Sequence, residues 1–292
     1  MKKIYLLTLF SIFSLNLLCQ VNWTKHSENP VMVPGTSGEW DKTLDYIGSS
    51  ILHDDTYMMW YSGITDSGIE SVGLATSPDG TTWTRDANNP VFEKGPSGSW
   101  DQDYVSCGDV TLVDDTFHMW YTGYRGFWDT IGIGHAFSTD GINWERDTNN
   151  PVLTVEPEGT WEYLWIWIDE VVFDGNIYHM WYEGGSEPGK EVAIGHATSP
   201  DGVVWTRDPS NPVLEPGASE DWDYPCVAFP GVVFDGTNFH MWYCGGTNVG
   251  HNYDIGYATS TDGSDWTKYD GNPVMEKGPD DWDAGSVFTP NV

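Results

Sequence analysis

The sequence predicts an all-β, five-bladed β-propeller of four-stranded antiparallel blades, the fifth blade incomplete within the chain. Three observations carry this: tryptophans at a fixed long spacing, turn chemistry that cuts each interval into four short strands, and ends that each supply part of a unit. Trp23, Trp83, Trp144, Trp205 and Trp266 are separated by 60, 61, 61 and 61 residues. One fixed period is the mark of a repeated architecture. Four short antiparallel strands per period, arranged radially, make a propeller; a linear β-solenoid usually has much shorter repeats.

Within a unit the order is constant. Asn-Pro-Val follows the first tryptophan, at Asn29, Asn89, Asn150, Asn211 and Asn272. A second tryptophan with an acid behind it comes next, at Trp40, Trp100, Trp161, Trp222 and Trp282. A Val/Ile run, an Asp-Asp or Asp-Gly turn and a Met-Trp-Tyr strand follow, centred on Trp60, Trp120, Trp181 and Trp242. A Gly-x-Ala strand and Ser-x-Asp-Gly-x-x-Trp, as in Ser77 to Trp83, close the unit. In the second unit this predicts strands over 105–113, 116–123, 131–138 and 150–154, joined by Asp, Gly, Asn and Pro turns. Val21 to Val33 supply the last part of a unit and Trp282 to Val292 the opening of one. That fits a ring closed by pairing the N-terminal strand into the last blade. The chain stops before a fifth Met-Trp-Tyr strand, so it reads as a fragment missing at least two strands.

Met1-Lys2-Lys3 and the apolar run Ile4 to Leu18 have the charged start and short greasy core of a secretory signal peptide, and residues 1–19 are set aside from the fold. Cleavage before Gln20 is expected, giving a secreted, periplasmic or cell-surface protein of residues 20–292; a lipid anchor on Cys19 is the alternative. No later apolar run is long enough to span a membrane. Seventeen Trp, fifteen Tyr and thirty-three Gly against twelve Lys+Arg describe a turn-rich β protein. A formal charge of −32 repels nucleic acid and anionic lipid and favours a neutral or cationic ligand. A monomer is expected.

Cys226 and Cys244 flank the Asp235-Gly236 turn almost symmetrically and could pair across a hairpin in an oxidising compartment, or remain buried thiols. No metal-ligand spacing is present and no cofactor is implied. His118, His179 and His240 recur in register, as do His135 and His196, which argues for packing.

Features present in every copy are read as structural: the Ser-x-Asp-Gly-x-x-Trp turn, the acids Asp41, Asp101, Glu162, Asp223 and Asp283, and Arg85, Arg146 and Arg207, expected on the outer surface. A propeller's single site sits at its channel mouth, so function belongs where the copies disagree. Nine residues after the second tryptophan stand Ser49, Asp109, Glu170, Gly231 and Asn291. Asp109 and Glu170, with Asp169 beside the latter, are expected to face one another over the channel, as two-carboxylate chemistry on a glycosidic bond requires. Solvated strand caps are the plainer reading. Glu183 ends its strand where other copies have Ser62, Thr122 and Cys244, and should sit near Glu170, where two close acids raise one pKa enough to make a proton donor. These four are the catalytic candidates. Arg125 and Trp128 lie in Tyr124-Arg125-Gly126-Phe127-Trp128, suited to gripping a ligand, and Trp165 and Trp167 offer flat faces for sugar rings, with core packing as the alternative.

Over nearly all of residues 21–292 the chain resembles the five-bladed propeller glycosidases of the arabinanase, xylosidase, invertase and levansucrase superfamily. The resemblance rests on Ser-x-Asp-Gly-x-x-Trp, similar to that superfamily's Ser-x-Asp-Leu-x-x-Trp, and on the strand pair Phe173-Asp174-Gly175 and Tyr178 to Tyr182. It implies a carbohydrate-active, glycoside hydrolase-like protein with three acids at its site. Ile168-Asp169 resembles the segment of the second acid. The first would fall near Gly48-Ser49 and a fourth-blade glutamate near Phe229-Pro230-Gly231, and neither acid is there. Asp45 stands as a substitute for the first, and with Phe229 joins the substrate-binding candidates. A non-catalytic propeller that binds glycans or proteins is the competing class.

Overall fold

The computed structural model describes residues 23–126, 130–186, 191–248, 251–279 and 283–292, with only the backbone of residues 247, 248 and 251. The expectations for residues 1–19 and for Trp128 lie outside the described residues. Four antiparallel sheets follow one another along the chain. Blade 1 is β1 (Thr43–His53), β2 (Thr56–Ile64), β3 (Glu70–Ser77) and β4 (Thr84–Arg85). Blade 2 is β5 (Tyr104–Val113), β6 (Thr116–Arg125), β7 (Thr130–Ser138) and β8 (Glu145–Arg146), with β9 (Leu153–Thr154) also on β7. Blade 3 is β10 (Trp165–Phe173), β11 (Tyr178–Gly185), β12 (Ala193–Ser199) and β13 (Thr206–Arg207). Blade 4 is β14 (Cys226–Phe234), β15 (Phe239–Asn248), β16 (His251–Ser260) and β17 (Thr267–Lys268).

The hairpin turns follow from short polar residues. Asp54-Asp55 and Asp114-Asp115 take φ between 47° and 60°, the left-handed geometry of a two-residue hairpin that Asp tolerates. The Asp174 and Asp235 carboxylates each accept N–H bonds from the residues two and three positions further on. The outer strand expected at 150–154 is split: Arg146 pairs with Ala136 at one end of β7 and Leu153 with Ile133 at the other. Between them Asn150 replaces the ladder with its side chain, accepting from His135 N–H at 2.7 Å and donating to His135 C=O at 2.8 Å. Asn89, Asn211 and Asn272 do the same to Leu74, His196 and Tyr257. This is the structural use of Asn-Pro-Val.

Blades pack through tryptophan. Trp60, Trp120 and Trp181 have no exposed surface, and each indole N–H donates to a glycine carbonyl in the next Ser-x-Asp-Gly turn, at Gly141, Gly202 and Gly263. Their rings meet Trp144, Trp205 and Trp266 edge-on at 6.0 to 6.1 Å. Trp23 stands on Trp242 in the same way, 6.1 Å away. The recurring basic residue, expected at the outer surface, keeps 21 to 37% of its side chain exposed there and also makes a clasp: Arg85 on Asp41, Arg146 on Asp101, Arg207 on Glu162 and Lys268 on Asp223, over 2.5 to 2.8 Å. Each acid there is 1 to 3% exposed in its side chain, so the cation is what makes its burial tolerable. Lys25 clasps Asp283 at 2.5 Å, joining the two ends of the described chain.

Cys107, Cys226 and Cys244 are free and buried. Cys226 lies 3.6 Å from the Tyr253 hydroxyl, and burial pushes its thiol up to about 12. The recurring histidines stack in pairs inside blades 2 and 3, His118 on His135 and His179 on His196, as the packing reading expects.

Candidate functional site

The site is built on the innermost strands β1, β5, β10 and β14, and on an irregularity that each carries. Pairing breaks between Cys107 and Asp109, between Ile168 and Glu170, and between Ala228 and Gly231. A β-bulge inserts an extra residue and re-aims the side chains around it. In blade 2 the extra residue is Gly108, because a Cβ there would stand 2.4 Å from Cγ2 of Ile168 in the next blade. Blade 3 places Asp169 at the equivalent point. In blade 4 that point is Pro230, preceded by Phe229, whose backbone is left-handed at φ 50°. The Phe229 ring instead meets Tyr46, Tyr253 and Phe288 at 5.6 to 6.0 Å.

The bulges divide the sequence-predicted acids into two groups. Asp169 and Glu183 form one. Glu183 pairs across the sheet with Trp167, and Asp169, the extra residue of the bulge, lies near enough to feel the charge of Glu183. Burial, then the charge of Glu183, holds the Asp169 carboxyl well above its usual range, and burial pushes Glu183 up to about 8. Asp169 is half-buried, yet its Oδ2 and Glu183 Oε2 are enclosed without a hydrogen-bond partner. A buried carboxyl oxygen without a donor favours the protonated acid.

Asp109 and Glu170 form the other group, wedged between blades. Asp109 is 2% exposed; its Oδ2 accepts from the Val171 N–H at 3.3 Å and the Thr111 hydroxyl at 3.2 Å. Burial pushes it up to about 7. Glu170 is held in turn by the backbone of Val232, and is raised by burial and then by the charge of Asp109. Ser49 makes the same reach, its hydroxyl donating to the Val110 carbonyl at 2.9 Å. Ser49, Asp109 and Glu170 thus tie successive innermost strands together. Glu170 also lines a narrow axial space of about 30 Å³, shared with Gly48, Gly108, Asp169, Pro230 and Asn291.

On the Asp169 side of the bulges the aromatic side chains gather. Tyr46 lies 6.5 Å from Trp167 and 5.6 Å from Phe229, and Tyr104 lies 5.4 Å from Trp167 and stacks on Tyr124 at 4.5 Å. Trp167 therefore stands among rings, half-buried. Trp165 packs against the Val192, Cys226, Cys244 and Tyr253 cluster, which is the core role. Arg125 lies at the end of β6, pairing with Thr130 across the hairpin, where its charge acts on Asp103.

Asp45 is half-buried in β1, where Asp45 and Tyr46 together stand opposite the single residue Ser62. Burial raises its carboxyl, and its charge acts on Glu70, at the start of β3. Glu70 was missed by sequence reasoning. It is 4% exposed, and its carboxyl is pushed up to about 8 by burial and then by Asp45. The signal was present: by cross-strand pairing, the position of Glu70 is Ile131, Val192 and Tyr253 in the other blades. Asp45 and Glu70 on one side and Asp169 and Glu183 on the other all act on Tyr46. Its hydroxyl is raised above the usual range by burial and then by the charges of Asp45, Glu183, Glu70 and Asp169, in that order.

Residues 168–290 match the Glycosyl hydrolases family 32 N-terminal domain. The uncharacterized protein Rv1502 of Mycobacterium tuberculosis (strain ATCC 25618 / H37Rv) is 27% identical over 271 residues, covering 88% of this chain and 87% of that protein. Among solved structures, a thermostable family-43 glycoside hydrolase is similar with a TM-score of 0.63 and 19% identity, over 86% of this chain and 77% of that one. The β-1,2-mannobiose phosphorylase of Listeria innocua is similar with a TM-score of 0.62 and 14% identity, over 87% and 84%. The resemblance read from the sequence is therefore met in the fold: the chain has the propeller architecture of glycoside hydrolases, with four blades formed by the described residues.

Proposed function

We propose that the chain is a secreted, carbohydrate-active propeller with a glycoside hydrolase-like activity, acting on a poly- or oligosaccharide at the aromatic-lined mouth. The observation that carries this reading is the convergence of Asp45, Glu70, Asp169 and Glu183 on the Tyr46 hydroxyl beside Trp167 and Phe229. Flat rings take up sugar faces through apolar contact. Carboxyls of unequal pKa on opposite sides of a sugar supply what glycosidic cleavage needs: a proton for the leaving oxygen, and a carboxylate that activates water or attacks the anomeric carbon. In this reading Asp169 and Glu183 act on one side and Asp45 on the other, while Asp109 and Glu170 hold the strands that carry them. Closure by a fifth blade belongs to the same proposal. Residues 289–291 share the axial space with the strands of the four blades, and the Lys25–Asp283 clasp continues the series of blade clasps.

The test is a turnover screen on aryl glycosides and on plant and algal polysaccharides, with and without inorganic phosphate. Asp169→Asn and Glu183→Gln should each cut turnover by about a hundredfold or more, the range for losing an acid or base. Wild-type turnover in both variants would remove these carboxylates from catalysis. Glycan binding without turnover, lost on Trp167→Ala, would make the protein a binding module. Release of residues 20–292 into the medium or periplasm on expression with residues 1–19 checks the address.

A further inference from the structure

We infer that the space between blade 1 and the two terminal segments is a second binding pocket, which takes a neutral apolar group, aryl or acyl, carried by the saccharide at the mouth. The inference deepens the proposed function and rests on it for the sugar-bearing half of the ligand; the pocket itself does not.

The strand register shows what is left open. Ile47, Cys107 and Ile168 pair with Tyr61, Tyr121 and Tyr182, so they hold one position in successive blades. Cys107 and Ile168 are 3% and 1% exposed, whereas Ile47 is 45% exposed. Beside Ile47, residues 24–32 and 286–289 bound a cavity of about 520 Å³, a size common for small-molecule sites. Its wall is mainly apolar: Leu44 and Ile47 on β1, Ile255 on β16, and Met275, Val287 and Phe288 after it. Phe288 is 43% exposed, a second large apolar side chain left uncovered. Apolar surface left open in one place marks a contact site. Met275 and Met32, which also lines the cavity, are unbranched and adaptable, so the wall fits apolar groups of different shape.

Charged groups lie on the same wall. Asp45 is the acid there, and Lys25 and His26 are the basic side chains. Lys25 Nζ donates to Asp283 at 2.5 Å and to the Glu276 carbonyl at 3.0 Å, and His26 Nδ1 accepts the Glu28 N–H at 3.2 Å. Both basic groups are thus engaged locally. With a formal charge of −32 on the chain, an anionic amphiphile is disfavoured and a neutral group is the fitting occupant.

One molecule can reach both places. Tyr46, Ile47 and Thr289 line this cavity and the axial space alike. Tyr46 meets Trp167 and Phe229 at the mouth, and Phe288 meets Phe229 at 6.0 Å. A sugar on Trp167 and a substituent beside Ile47 and Phe288 therefore have Tyr46 as a common neighbour.

Trp242 adds an oxygen to that substituent. A space of about 210 Å³, lined by Trp242, shares Ile255 and Met275 with the cavity. Trp242 is 3% exposed and its indole N–H has no hydrogen-bond partner among the described residues, whereas Trp60, Trp120 and Trp181 give theirs to glycine carbonyls. An enclosed donor without an acceptor is costly. An ester or ether oxygen on the apolar group supplies one.

The experiment titrates the purified full chain with N-phenyl-1-naphthylamine, a neutral apolar fluorophore, and displaces it with ethyl benzoate, a neutral aryl ester. One saturable site is expected, and ethyl benzoate should shift the indole nitrogen-15 resonance of Trp242, assigned with Trp242→Phe. Ile47→Gln and Phe288→Gln, both at exposed positions, should each weaken fluorophore binding by about tenfold, the loss of one apolar contact. Val204→Gln, at an apolar position 64% exposed elsewhere, should not. On a sugar found by the screen, Ile47→Gln should lower the ratio of kcat/KM for the aryl over the methyl glycoside by about tenfold. No saturable binding, or binding that all three glutamine variants leave alike, would overturn the inference. So would sedimentation showing a dimer that takes the fluorophore only on dilution, since a second copy would then be the occupant. A Trp242 resonance that ethyl benzoate does not move would remove the oxygen from the proposal. Binding lost in Ile47→Gln and Phe288→Gln, with no turnover on any sugar, would keep the pocket and count against the catalytic reading; turnover with an unchanged aryl-to-methyl ratio would count against the pocket alone.

Discussion

At the scale of single residues the buried acids set how stability responds to pH. Glu183 titrates at about 8 in the folded chain against an ordinary value of 4.5, because burial disfavours its charge. Between those values the unfolded chain has released a proton that the folded chain retains, so unfolding is increasingly favoured as pH rises from about 4.5 to 8, and the loss is complete above the folded value. The histidines act from the other side. His135 and His196 are lowered to about 4 by burial, so the unfolded chain takes up protons below about 6.5 that the folded chain refuses, and stability falls on acidification between 6.5 and 4. The two limbs overlap between about pH 4.5 and 6.5, and the urea midpoint should peak within that window. Glu183→Gln should raise it at pH 8 and leave it little changed at pH 4.5, and an equal change at both pH values would show that Glu183 is charged when folded. Asp169 and Glu183 were legible because they interrupt the repeated frame on the two strands where copies were compared. Glu70 was not, since it begins the third strand, where no register had been drawn, and the effect of Asp45's charge on it becomes visible only once β1 and β3 lie in one sheet.

At the scale of the element, the bulge on each innermost strand decides which acids face the mouth. Strand periodicity does not reveal the extra residue, Asp169 in blade 3, which leaves the ladder beside Glu183 while Glu170 resumes the pairing, so the expected ring of Asp109, Asp169, Glu170 and Glu183 resolves into two groups. Gly108 tests the geometry. Gly108→Ala drives a methyl against Ile168 with no room to yield, and should cost about 1–3 kcal/mol of stability in urea unfolding, the usual range for overpacking. Asp109 tests the division of labour. Asp109→Asn keeps an oxygen for the Val171 N–H and the Thr111 hydroxyl, and should fold with near wild-type stability. Asp109→Ala leaves the buried Val171 N–H unpaired, at about 1–3 kcal/mol. If Asp109→Asn instead folds normally and loses turnover by a hundredfold, Asp109 takes part in the chemistry and the strand-linking account is insufficient.

At the scale of the whole molecule, the sixty-residue period was enough to place four blades, because each copy carries its own turns, its ladder-replacing asparagine and its inter-blade tryptophan. What the period could not show is how the described ends of the chain are held together. The recurring basic residue looked like surface decoration, since one charge every sixty residues carries no information about direction. In the folded chain, while still part-exposed, it reaches a buried acid that only the second tryptophan's position brings beneath it. Four of these clasps act within a blade, but Lys25 and Asp283 are 258 residues apart and join the described ends of the chain. The Asp283 side chain is 1% exposed and its Oδ1 has no hydrogen-bond partner, so Lys25 is its neutralising contact through Oδ2. Removing one partner of a buried pair leaves a charge that cannot be solvated. Lys25→Ala should therefore lower stability by about 3 kcal/mol and increase proteolysis in residues 23–33, while Asp283→Asn made in addition should recover much of the loss. Lys42→Ala, which opens an exposed pair with Asp66, is the control and should leave the urea midpoint nearly unchanged. If Lys25→Ala behaves like that control, the ends are held by Trp23 on Trp242 and by side-chain contacts such as Ser50 with Asn291, and the clasp is incidental to closure.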